Sequence, residues 1–217
     1  MRTGRGMRWL AAASLGLVGW GWILGAPAAA RAAEPLDALE ARAESFLSSH
    51  RWRDMNVPRK DGQILRDLVV ARRFTRALEV GTSTGHSAIW IALGIHRTGG
   101  RLLTLEIDEG RHREALRNLA EAGVADLVEA RLGDAHEVVP ALPGPFDLVF
   151  LDADKDWNVR YFQAVRPKLA PGGCVAVHNV SRSRRGWSGE YLAEVERAGG
   201  FVTEIVGSGM ALSCREK

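Results

Sequence analysis

Residues 78–90, LEVGTSTGHSAIW, read as a strand, a glycine-rich turn and the start of a helix. The spacing is acid-x-Gly-x-x-x-Gly, with Glu79, Gly81 and Gly85 at its fixed positions. Gly81 permits a tight backbone turn, and Gly85 permits close approach of a ligand to the helix start. Ser83, Thr84 and Ser87 add hydroxyls to the backbone N–H groups exposed at a helix N-terminus. The G-x-G-x-x-G fingerprint of nicotinamide-binding folds is absent. Glu79 would repel a pyrophosphate but could hold a cationic amino-acid group. Glu106 ends the next strand-like run, where an acid can grip two ribose hydroxyls. Asp134 and Ala135 follow the third run, near an expected adenine edge. A ligand with an amino acid, a ribose and an adenine but no phosphate is S-adenosylmethionine.

A second cluster stands at LDADKD (151–156), where the apolar run Leu148–Leu151 stops at Asp152, Asp154, Lys155 and Asp156. His178 and Asn179 close a further run. These groups gather on one rim only if the runs are parallel strands of one sheet. The pattern supports that. Strand-like runs at 76–81, 101–107, 127–133, 147–152 and 174–180 alternate with helical runs near 84–95, 109–122, 136–141 and 156–169. A leading helix is expected over 35–49, a late one over 188–198, and Pro171-Gly172-Gly173 reads as a helix-to-strand join. Runs at 201–208 and 209–215 are close enough to form a hairpin. The expectation is an α/β fold with a Rossmann-like, doubly wound seven-stranded sheet, mostly parallel and ending in an antiparallel hairpin. In such sheets ligands bind beyond the carboxyl ends of the strands.

The totals narrow the classes. Arg2, Arg5, Arg8 and Arg31 lie within residues 1–33, and the remainder holds 25 basic against 26 acidic residues. That balance disfavours nucleic-acid binding. Residues 1–33 read as a secretory signal or an uncleaved membrane anchor. Three arginines precede the uncharged stretch Trp9–Gly25, and Ala30-Arg31-Ala32 fits a cleavage pattern. An exported or anchored chain, touching membrane only through that segment, is expected, with residues 34–217 as a single domain. Cys174 and Cys214 read more readily as two buried hydrophobes than as a pair, although export would permit pairing.

The chain resembles the class I S-adenosylmethionine-dependent O-methyltransferases of the catechol and caffeoyl-CoA group over about residues 50–181. MNVPRKDGQIL (55–65) is similar to the segment covering the methionine part of the cofactor, and LEVGTSTGHSA, LLTLEID and DLVFLDADKD follow in the family's order and spacing. The resemblance implies cofactor contacts from Val57, Glu79, Gly81, Ser83, Ser87, Glu106 and Ala135, with Asp152 facing cofactor and metal. It implies a small phenolic or catechol-like acceptor, Asp152 as a divalent-metal ligand and Lys155 as general base. Trp52 lies one residue from a gating tryptophan of the animal enzymes. The family's Asp-Asn metal pair is His178-Asn179 here. Imidazole suits manganese or another transition metal better than magnesium. Three readings stay open: a metal held by Asp152, His178 and Asn179; metal-free transfer with His178 as base; or a non-catalytic protein that keeps the cofactor fold. A nicotinamide oxidoreductase is the remaining, less favoured rival.

Overall fold

The apolar runs become seven strands: β1 (Arg76–Val80), β2 (Arg101–Glu106), β3 (Val128–Leu132), β4 (Phe146–Leu151), β5 (Leu169–Val177), β6 (Phe201–Val206) and β7 (Met210–Arg215). A computed structural model describes residues 36–216; the targeting segment expected over 1–33 lies outside the described residues. The strands form one sheet in the order β3-β2-β1-β4-β5-β7-β6. β1 to β5 pair in parallel, and β7 runs antiparallel to both β5 and β6. This is the doubly wound sheet with a C-terminal antiparallel pair that the alternating pattern predicts.

Alternation along the strands splits the core in two. Ala77, Leu102, Leu148, Phe150 and Ala176 point to one face, beneath helices α1 (Leu36–Ser49), α2 (Arg59–Arg72), α3 (His86–Thr98) and α4 (Glu109–Ala122). Leu78, Val80, Leu105, Val149, Leu151, Val175 and Val177 point to the other, beneath α5 (Ala135–Ala141), α6 (Asn158–Val165) and α7 (Trp187–Ala198). A strand covered on both faces must be apolar at every position, which is why Leu148 to Leu151 run without a polar break.

Three features depart from the sequence reading. Residues 59–72 form α2, which the reading left unassigned. Gly62 lies against α3 there, where a Cβ would fall 2.1 Å from Trp90 Cδ1. The expected helix over 156–169 is shorter, since α6 is flanked by single 3-10 turns at Lys155–Trp157 and Arg166–Lys168. β5 then begins at Leu169 and carries the Pro171-Gly172-Gly173 join inside it, with a register irregularity against β4. The third concerns the cysteines. β5–β7 register makes Cys174 and Cys214 direct cross-strand partners. Their Cα atoms stand 4.0 Å apart and the side chains form a disulfide, which corrects the reading of two free buried thiols.

The strand order reverses between β1 and β4, both of which leave the sheet at the same rim. That switch point is where an open α/β sheet provides its crevice.

Candidate active site

A cleft of about 660 Å³ opens at this switch point. Gly81, Ser83 and Ser87 form one wall, from the turn after β1 and the start of α3. Gly81 has φ +97°, and its N–H donates to Leu105 O at 2.9 Å. A Cβ there would lie 2.8 Å from the backbone oxygen of Asp152, so only glycine lets β1 and β4 leave the sheet this close together.

Glu106 forms the opposite wall and is held in place before any ligand arrives. Its Oε2 accepts from Ser83 N at 2.7 Å, and its Oε1 accepts from Ile107 N at 3.1 Å and Asp108 N at 3.0 Å. Asp134 and Ala135 lie further along the cleft. Asp134 caps α5 by accepting from His136 N at 2.8 Å. The His136 ring stacks on Trp157, with centroids 3.6 Å apart and planes 15° apart. Val57 closes the cleft from the segment before α2, and Arg111 Nε pins that segment through Asp54 Oδ2 at 2.7 Å.

Glu79 does not line the cleft. It is fully buried beneath it and accepts from Thr104 Oγ1 at 2.5 Å, in a chain that continues to Thr82 Oγ1. Burial pushes its carboxyl up to about 7, and the nearby charges of Asp152 and Glu106 push the same way. Trp52 is not at the cleft wall either. Its Nε1 donates to Leu47 O at 3.2 Å, and its ring packs edge-on against His86.

At the far end the structure gathers Asp152, Lys155, His178 and Asn179 around one space. Lys155 Nζ donates to Asp152 Oδ1 at 2.6 Å. His178 Nδ1 lies 3.4 Å from Asp152 Oδ2, and His178 Nε2 lies 2.9 Å from Asp61 Oδ2. Burial alone would lower the pKa of His178, but the carboxylates of Asp152 and Asp61 outweigh it and hold the imidazole above its ordinary value. Sequence reading missed Asp61, and also Arg111, His136 and Tyr161 on the cleft wall. An acid beside Arg59 and Lys60, in a segment the sequence reading assigned to no element, carries no local mark of burial.

The divalent-metal set read from the sequence does not fit this arrangement. One oxygen of Asp152 is already neutralised by Lys155, and both nitrogens of His178 face carboxylates. Asn179 adds only a neutral amide on an exposed residue. A single, already paired carboxylate is a poor donor set for a hard cation. Among the described residues no cluster of three or more His, Cys, Asp or Glu side chains is arranged to hold a metal.

Arg182 and Arg184, beyond the rim, are spent on local structure: Arg182 Nη2 donates to Ile205 O and Arg184 Nη2 to Glu196 Oε1.

Comparison with known proteins adds to this geometry. A family model described as a methyltransferase domain matches residues 78–180. A catechol O-methyltransferase of Mycobacterium tuberculosis is 43% identical over 144 residues, which cover 65% of this chain and 62% of that protein. A catechol O-methyltransferase of Niastella koreensis is 35% identical over 150 residues, 67% of each chain. Among solved structures, cofactor-bound Rv0187 from MTB superposes with a TM-score of 0.71 at 32% identity, covering 83% of this chain and 91% of that one. An O-methyltransferase from Bacillus cereus in complex with SAH superposes with a TM-score of 0.66 at 25% identity, covering 83% and 90%.

Proposed function

The chain belongs to the class I S-adenosylmethionine-dependent O-methyltransferases, and on that premise we propose that it methylates a hydroxyl of a small phenolic or catechol-like acceptor, with His178 as the general base. The observation that carries this reading is the continuity of one cleft, from the Gly81 turn and Glu106 at one end to Asp152, Lys155 and His178 at the other.

S-adenosylmethionine, when bound, supplies an electrophilic methyl carbon. Ser83, Ser87 and the Gly81 turn offer backbone and hydroxyl groups to its amino-acid part. Glu106, preset by three backbone N–H groups, is placed for ribose hydroxyls. At the acceptor end His178 Nδ1 would take the proton of the acceptor hydroxyl as that oxygen accepts the methyl group the bound cofactor would supply, its sulfur leaving as a neutral thioether. The resulting imidazolium lies between two carboxylates, so the charge that develops is met by groups already in place. Lys155 stays bound to Asp152 and serves as its counter-charge rather than as the base.

The test is calorimetric titration of the purified protein with S-adenosylmethionine, alone and with manganese or magnesium, followed by product detection across a panel of catechols. Binding and turnover indifferent to metal are expected. Turnover that requires manganese would return Asp152, His178 and Asn179 to the role of metal ligands. Failure to bind under any condition would remove the cofactor assignment.

Export, or anchoring by residues 1–33, is part of the same proposal. The arginine-led apolar segment supports it. So does the Cys174–Cys214 disulfide, since disulfides persist mainly in oxidising compartments. Among the described residues no helix is long and apolar enough to cross a membrane. Fractionation of cells expressing the full chain, followed by N-terminal sequencing, checks both points.

A further inference from the structure

Asp61 lines no part of the cleft, yet it is a carboxylate with 0% exposure, set in the first turn of α2. A buried charge persists only where donors replace the water it has lost. Asp61 has three, from two distant segments. Its Oδ1 accepts from Ser208 N at 2.9 Å; its Oδ2 accepts from Ser208 Oγ and lies 2.9 Å from His178 Nε2. Burial would raise the carboxyl, but these hydrogen bonds, with the charge of His178, hold it below the ordinary aspartate value, so it is an acceptor only.

The β6–β7 turn is shaped around this carboxylate. Gly207 has φ +57°, and a Cβ there would lie 2.0 Å from Asp61 Oδ1. The same turn is tied to the end of β5, where Val180 N donates to Gly209 O at 2.7 Å. Three segments, α2, the end of β5 and the β6–β7 turn, therefore converge on one side chain that touches no ligand.

The consequence falls on His178. Both ring nitrogens face carboxylates, but Asp61 Oδ2 lies 2.9 Å from Nε2, whereas Asp152 Oδ2 lies 3.4 Å from Nδ1 and Asp152 already accepts from Lys155, so Nε2 is the atom from which the ring donates. When the ring is neutral its lone pair is then on Nδ1, the nitrogen facing Asp152 and the cleft. We propose that Asp61 is a positioning residue which fixes His178 as its Nε2–H tautomer and so presents Nδ1 to the acceptor hydroxyl. Ser208 keeps the carboxylate from turning by occupying both of its oxygens. The inference rests on His178 being the base, but the tautomer itself can be read without turnover.

The first measurement is long-range nitrogen–proton NMR of imidazole-labelled wild-type protein at alkaline pH, where His178 is neutral, assigned with a His178→Gln variant. Nε2–H is expected. An Nδ1–H tautomer would overturn the proposal, and this readout needs no Asp61 variant to fold. In Asp61→Asn the tautomer should become mixed or inverted. kcat should fall about 100-fold or more, the scale of a general base lost to the wrong tautomer. S-adenosylmethionine affinity should stay unchanged, because Asp61 does not line the cleft. A variant that binds cofactor and keeps wild-type kcat would overturn the proposal while leaving the methyltransferase reading intact. Wild-type protein that shows Nε2–H but binds no cofactor would support the Asp61 assignment and remove the methyltransferase reading instead.

Discussion

Lys155 Nζ stands 2.6 Å from Asp152 Oδ1, so the cation expected to act as base is bound to the carboxylate expected to hold a metal. Each satisfies the other, and the group left to accept a proton is His178. Its replacement by glutamine should lower kcat about 100- to 10,000-fold, the usual range for a general base. Lys155→Arg preserves the counter-charge and should keep kcat within about tenfold of wild type, a difference of roughly 1.4 kcal/mol. Steady-state kinetics on the first competent catechol separates the two roles.

Glu79 gives the fold a pH dependence. Its proton is held to about pH 7 in the folded chain against 4.5 for the ordinary group. The stability this contributes is complete below the ordinary value and is lost as pH rises through about 7. The full difference is about 3 kcal/mol. Denaturant midpoints at about pH 5 and about pH 8 should therefore diverge in wild type and move together in Glu79→Gln.

Gly81→Ala meets two obstacles at once: a left-handed backbone at φ +97° and a Cβ 2.8 Å from Asp152 O. The strain alone costs about 1–2 kcal/mol. Relieving it displaces the start of the Asp152 loop. Cofactor affinity should fall by at least about tenfold, measured by titration with S-adenosylmethionine.

The Cys174–Cys214 bond closes a loop of sequence separation 40. Chain entropy assigns such a closure about 4 kcal/mol. Reduction, or Cys214→Ser, should lower the thermal midpoint markedly while leaving cofactor affinity at low temperature unchanged, because the cofactor wall lies outside the loop. Calorimetry with and without reductant checks this.

Much of the sheet and the cofactor wall was legible because both are written in local pattern. Leu148–Leu151 is apolar at every position, Glu106 is the last residue of its strand, and Gly81 and Asp134 sit just past theirs. What escaped depends on distance along the chain. Asp61 meets His178 and Ser208 across sequence separations of 117 and 147, and no local pattern encodes those encounters. α2 was missed because Gly62 and the β-branched Val69 and Val70 weaken its propensity, and packing against α3 compensates. The cysteine pair follows from β5–β7 register, which turn geometry and packing decide. Glu79 was placed on the right strand, but at a position whose side chain turns beneath the cleft.

The loop between Cys174 and Cys214 carries His178, Asn179, α7 and Ser208. Gly81, Glu106 and Asp134 lie outside it. The acceptor-facing end of the cleft thus takes His178 and Asn179 from a segment whose two ends are pinned 4.0 Å apart at the Cα atoms, and Asp152 and Lys155 from outside it. Residues 181–206 can therefore vary within that clasp while His178, Ser208 and the cofactor wall, which lies outside the loop, keep their places.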